Sequence, residues 1–198
     1  MSDALDRELT VLEYMVLGLI SIHPQSGYSI IATFESGLYR WSSSPGSVYP
    51  ILKRLEQQGL LDSELEVVYE TRPRKMYNLT PLGQKMLVEW LRRPLTLHEV
   101  TTERDIVMKK FLFIEKLFTP LEIFAWLDNY QQETEMHLLT LDIPSDPEFR
   151  SLDTPHQQLI IQAIHMEMEM QLKWIKMAQR HLRDRDKRRP AESIRGRP

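Results

Sequence analysis

Apolar residues fall along this chain in changing rhythms, and the changes mark its elements. Leu9 to Ile22 (LTVLEYMVLGLISI) is apolar on nearly every side, as expected of a helix enclosed by other elements. Pro24 ends it. Ser26 predicts the cap of a second helix, Gly27 to about Glu35, with Tyr28, Ile31 and Phe34 at i, i+3 and i+6 as its apolar side. After the loop SGLYRWSSSPG, Val48, Ile51, Leu52 and Leu55 stand at i, i+3, i+4 and i+7. They make one stripe of a third helix, which closes at Gly59 as a C′ glycine.

Pro50 lies inside that third helix, where it lacks an N–H and presses on the carbonyl of Gly46. Two starts accommodate it. Ser47 as N-cap puts Pro50 at N3; Ser44 as N-cap puts Pro45 at the favoured N1 position and leaves one bond missing at Gly46. We favour the start at Ser44. Under either, Gly46, Tyr49, Pro50, Lys53 and Gln57 form a face opposite the apolar stripe, suited to lie against something polar.

Helix, short loop, helix with an apolar stripe is helix-turn-helix grammar. The period then shortens: LLDSELEVVYE and RKMYNLT, joined by the Pro-containing turn TRPRK, predict a two-stranded hairpin, a wing. Thr80 and Pro81, an N-cap with proline at N1, open a helix to about Arg93, and a domain boundary falls near Pro94.

The second half reads as all helical. Val100–Phe118 and Pro120 to about Leu141 are helix patterns separated at Thr119–Pro120; Asp142–Pro155 is a Pro-rich loop; a long helix runs from Thr154 or Pro155 to about Arg183. That helix carries two apolar stripes. Ile161, Ile164, Met168, Leu172, Ile175 and Leu182 form one, and Leu159, Ala163, Met166, Met170, Trp174 and Met177 the other. Two stripes imply two partners. Ile161, Met168, Ile175 and Leu182 recur every seven residues, a coiled-coil spacing, and are assigned to contact with a second subunit, the opposite stripe being the alternative. The organisation expected is a winged helix-turn-helix at 1–93, an α-helical dimerisation domain at 94–183 and a disordered basic tail at 184–198, mostly α with a small two-stranded β wing.

Net charge over the 198 residues is −3, unevenly spread. Residues 1–93 carry 10 Lys/Arg against 11 Asp/Glu, 94–178 carry 7 against 14, and 179–198 carry 8 against 3. A uniformly basic nucleic-acid surface is thereby excluded, and any DNA contact comes from local clusters. Cysteine is absent, which removes disulfides and thiolate chemistry. The charged start MSDALDRELT is no signal sequence and no apolar run is long enough to span a membrane, so a soluble cytoplasmic protein is expected.

Catalytic constellations are missing. There is no Gly-rich phosphate loop and no H-E-x-x-H; Ser47 sits in PGSVY, not in a nucleophile elbow; His165 with Glu169 reads as a polar helix flank and not as a metal site. No enzyme, cofactor or metal is expected. The candidates are contacts to double-stranded DNA: Ser43, Ser44, Gly46, Ser47, Tyr49 and Lys53, with Arg54 beside them, on the third helix, and Arg72, Arg74 and Lys75 at the wing tip. Singly, such basic residues are as readily solvated; in the order helix, helix, wing they point to DNA. The alternative is a winged-helix module that binds a protein partner. On the last helix, Trp174 among the flexible Met166, Met170 and Met177 is a candidate site for a small apolar or aromatic effector, against the plainer reading of ordinary core.

These residues resemble the PadR-like family of bacterial transcriptional regulators. GSVYPILKRLEQQGLL is similar to its recognition helix, RPRKMYNLTPLG to its wing and following helix, and SGYSI to the start of its second helix. Thr71 and Arg72 stand where the family's wing usually has glycine, and Ser26 where it commonly has histidine. The resemblance covers about Leu9 to Arg93, with a looser likeness of the helical second half to the family's dimerisation domain. It implies a homodimeric regulator, more often a repressor, whose dimer is opened or twisted by an effector.

Overall fold

A computed structural model describes residues 7–36, 45–66, 73–140 and 154–195, with 45 and 187–195 as backbone only. The chain divides into two units, Met1–Arg93 with Met108–Phe118, and Pro94–Val107 with Thr119–Pro198. The division at Arg93 coincides with the boundary expected near Pro94, but the stretch 108–118, expected in the second domain, clusters with the first unit.

In the first unit, α1 (Val11–Ile22) begins with a capping box: the Thr10 hydroxyl accepts from the Glu13 N–H, and the Glu13 carboxylate accepts from the Thr10 N–H. Its residues 13–20 are all buried, as an all-round apolar helix requires. In α2 (Gly27–Glu35), capped by Ser26, the buried residues are Gly27, Ile30 and Phe34. Tyr28, expected on the apolar side, is 77% exposed. An i, i+3, i+6 repeat drifts round a 3.6-residue helix, so spacing alone does not choose between neighbouring stripes. Packing against α3 and β3 chooses Ile30 and Phe34.

Helix α3 (Val48–Gln57) is entered through a 3₁₀ turn, Pro45–Ser47. The favoured start at Ser44 is thus corrected in part. Pro45 opens a tighter turn, while α-helical bonding begins at Val48 and leaves Pro50 at N3, where its missing N–H has no intrahelical partner. At the other end, Gly59 adopts φ 70°, and the N–H groups of Leu60 and Gly59 donate to the carbonyls of Leu55 and Glu56 at 2.9 and 3.0 Å. This is the Schellman closure expected of a C′ glycine.

Strands β2 (Leu61–Glu66) and β3 (Arg74–Leu79) form the predicted antiparallel hairpin, in register from Leu61 opposite Leu79 to Glu66 opposite Arg74. A further strand, β1 (Gln25–Ser26), pairs with the other edge of β3, so the sheet has three strands in the order β1-β3-β2, where two were expected. Two residues carry no readable alternation. Helix α4 (Pro81–Arg92) is capped by Thr80, whose hydroxyl accepts from the Gly83 N–H and donates to the Gly59 carbonyl at 2.6 Å. Phe113 packs on Gly18, the Lys110 ammonium lies 4.6 Å from the centre of the Trp90 ring, and Lys116 donates to the Ile22 carbonyl at 2.6 Å. These contacts hold 108–118 to the first unit.

In the second unit the expected helix from Val100 is broken. α5 (Leu97–Thr102) and α6 (Arg104–Leu117, whose residues from Met108 belong to the first unit) are separated by Glu103, at φ −116°, ψ 36°. Thr96 and Glu99 make a capping box for α5, and Glu103 supplies the first carbonyl for α6. Helices α7 (Pro120–Thr140) and α8 (Pro155–Arg195) pack together. Polar pairs set their register: the Tyr130 hydroxyl donates to Gln171 Oε1 at 3.1 Å, and Gln179 donates to Asp128 at 2.8 Å. The backbone of α8 continues to Arg195, so the expected disordered tail is helical for most of its length. The predicted loop over 142–153 lies outside the described residues. No helix among the described residues is long and apolar enough to cross a membrane.

Candidate nucleic-acid interface

Helix α3 divides cleanly. Val48, Ile51, Leu52 and Leu55 are buried, and Gly46, Tyr49, Pro50, Lys53 and Gln57 are exposed on the other side. Ser47 is half-buried. Tyr49, 55% exposed, lies over the start of α2: a Cβ at Gly27 would come within 2.6 Å of its ring. Gly27 therefore lets α2 and α3 approach closely, and Tyr28 beside it is exposed. Sequence reasoning missed Tyr28 by placing it in the core; its direct neighbour Gly27 was the available signal.

The cations differ in their surroundings. Lys53 is exposed and has no ion pair among the described residues. Arg54 turns to the buried Glu13 of α1, Nε to Oε1 at 2.8 Å. On β3, Arg74 pairs with Glu66 across the hairpin at 2.6 Å, and Lys75 pairs with Glu56 of α3 at 2.7 Å, with its ammonium 5.3 Å from the centre of the Tyr77 ring. Glu56 also accepts from Ser63. The hydrogen bonds from Lys75 and Ser63 hold the Glu56 carboxyl below its ordinary value, and Glu56 in turn raises Lys75. Helix α3 and the wing are thus tied at one carboxylate. Burial pushes the Tyr77 hydroxyl up. Ser43, Ser44 and Arg72 lie outside the described residues.

The exposed α3 face with Lys53 thus lies beside a hairpin whose Arg74 and Lys75 are each paired with a glutamate. The sequence profile described as "Transcriptional regulator PadR-like family" matches residues 16–89, the span from α1 through α4 that builds both. Over that span the chain is similar to the PadR-like family. Among its PadR-like relatives, the Negative transcriptional regulator PadR of Bacillus subtilis is 34% identical over 110 residues, which cover 55% of this chain and 59% of that one. The Transcriptional regulator Rv3488 of Mycobacterium tuberculosis is 46% identical over 57 residues, 29% of this chain and 52% of that one. The matches therefore span little more than half the length of these relatives. The crystal structure of Bacillus subtilis PadR in complex with operator DNA is similar over 87% of this chain and 99% of that one, at 22% identity and a TM-score of 0.43. These PadR-like names describe regulators of transcription, not enzymes.

The residues assigned to a second subunit and to an effector lie on α8. Met168 is 2% exposed and Ile175 fully buried, while Ile161 and Leu182 are half-buried. The heptad stripe chosen for the partner is thus packed inside its own unit. Its opposite, with Leu159, Met166, Met170 and Met177, is exposed, Met166 at 71%. α7 takes the side carrying Gln171 and Gln179, and Met168 and Ile175 lie on that side. Trp174 is half-buried, 6.3 Å from Tyr130 ring to ring, while the three methionines proposed to line a pocket with it point outward.

Proposed function

We propose that this protein is a transcriptional regulator that binds double-stranded DNA as a dimer. The observation that carries it is the exposed face of α3: a helix buried along its apolar stripe presents Gly46, Tyr49 and Lys53 outward, beside a hairpin bearing Arg74 and Lys75. Tyr49, Ser47 and Lys53 face the major groove; Arg72, Arg74 and Lys75 hold phosphates or the adjacent minor groove. The Bacillus subtilis relative is a negative regulator by name, which favours repression. The exposed apolar stripe of α8 favours a two-fold partner, and hence an inverted-repeat operator. Release by a small aromatic effector near Trp174 follows if that stripe becomes a seam, since Met side chains repack round ligands of different shape.

The test is selection of duplexes from a random pool, followed by binding over a salt series. Lys53→Ala with Arg74→Ala is expected to weaken binding to all duplexes and to shallow the salt dependence by about 0.9 for each phosphate no longer neutralised. An unchanged slope and affinity in that double variant would remove the assignment. Failure of the wild type to select any duplex would leave the protein-binding alternative.

A further inference from the structure

Glu13 is fully buried in α1, and its two carboxylate oxygens have different partners. Oε2 accepts from the Thr10 N–H at 2.8 Å and from the Thr10 hydroxyl at 3.1 Å, and Arg7 Nη1 reaches it at 3.0 Å. Oε1 accepts from Arg7 Nη2 at 2.7 Å and forms an ion pair with Arg54, Nε to Oε1 at 2.8 Å. A capping box needs only one of these oxygens. The other is shared between Arg7 and Arg54 of α3. A buried carboxylate persists only with its charge matched and its oxygens hydrogen-bonded, and here both conditions are met jointly by the segment before α1, the cap and α3. Arg54 follows Lys53 by one residue, about 100° further round the helix. Any rotation of α3 about its axis would pull Arg54 off Oε1 while moving Lys53 and Tyr49 out of line.

We propose that Glu13 is a positioning residue for DNA recognition: through Arg54 it sets the rotation of α3 that turns Tyr49 and Lys53 outward, and it withholds Arg54 from the phosphates. This rests on the DNA-binding reading given above. Glu13 touches no DNA in it.

Two variants separate the cap from the clamp. Glu13→Gln keeps the capping box, since glutamine serves at N3 as glutamate does, but offers one carbonyl oxygen and no charge to donors that occupied two. Thr10→Ala does the converse. With the full-length protein, duplexes selected by the wild type and a scrambled duplex serve as probes. Glu13→Gln is expected to lose about tenfold in the ratio of selected to scrambled affinity, the scale of one base contact, with a salt slope no shallower than the wild type's. Thr10→Ala is expected to keep the ratio. Arg54→Gln, at a half-exposed position, repeats the Glu13→Gln result, and Arg54→Lys, which keeps a cation for Oε1, restores part of it. A slope shallower by about 0.9 in Arg54→Gln would place Arg54 on a phosphate and overturn the proposal. An unchanged ratio in Glu13→Gln would also overturn it. Amide hydrogen exchange gives a readout without DNA. Ile51–Leu55 are expected to exchange severalfold faster in Glu13→Gln with α4 unchanged, and equal protection of α3 would refute the clamp even if the wild type selects no duplex, an outcome that bears on the DNA-binding reading instead.

Discussion

Gly83 and Gly59 show how differently two glycines can matter. A Cβ on Gly83 would stand 2.1 Å from the Leu60 carbonyl oxygen, whereas one on Gly59 would meet nothing within 4 Å and would bear only the strain of φ 70°. Gly83→Ala is expected to lower stability by about 2–3 kcal/mol through forced backbone movement, and Gly59→Ala by about 1 kcal/mol, read as urea midpoints at constant m-value. The Gly59 role was legible, because a glycine after an apolar stripe marks a helix end. Gly83 was legible only as part of a motif, since the carbonyl that forbids a side chain arrives from the α3–β2 corner. Glu13 adds a pH dependence. Burial raises its carboxyl, but hydrogen bonds from Arg7 and Thr10 and the charge on Arg54 outweigh this and hold it below its ordinary value. Its folded value is below its unfolded one, so its contribution is present at neutral pH and lost as pH falls through the lowered value. Acid unfolding of Glu13→Gln should therefore show a shallower loss of stability below about pH 4 than the wild type.

Helix α8 carries the sharpest contrast between neighbouring side chains. Met168→Ala is expected to destabilise the second unit by about 2–4 kcal/mol, because a buried methionine leaves a cavity. Met170→Ala, two residues on and 47% exposed, should leave thermal unfolding of the monomer nearly unchanged while weakening self-association. Equal destabilisation in both would show that the outer stripe is core. The sequence supplied both stripes but not their assignment, since each has helical spacing and only the polar pairs to α7 distinguish them. In α2 the same ambiguity put Tyr28 inside. Within the expected Val100–Phe118 helix, the break at Glu103 escaped notice because Thr101, Thr102 and Glu103 are all tolerated in helices; the capping box of Thr96 and Glu99 was the overlooked signal.

For the assembled protein, the proposed two-fold contact makes a geometric prediction. Sedimentation at micromolar concentration should give a dimer, and selected duplexes should hold inverted half-sites one or two helical turns apart, roughly 34 Å per turn. Met166→Glu with Met170→Glu should yield monomers that keep helical content but lose most of the affinity for paired half-sites while retaining weak single-site binding. A monomeric wild type would exclude the seam, and with it an effector site there. A ligand that quenches tryptophan emission in the wild type but not in Trp174→Phe would support that site; release of DNA with the Trp174 signal unaltered would move it elsewhere.

Local chemistry was enough to read the winged-helix grammar: the stripe of α3, its glycine closure, the hairpin and the Thr80–Pro81 opening of α4 each follow from a few adjacent residues whose backbone preferences agree. It also sufficed to mark Lys53 and Tyr49 as outward-facing, because a buried stripe defines its own opposite. Only tertiary packing decided which of two equally spaced faces each helix buries, brought Gln25 and Ser26 to the edge of β3, returned 108–118 to the first unit, and joined Glu13 to Arg54. In each case the deciding partner is distant in sequence, and periodicity records that a face is apolar or a charge is present without recording what lies against it.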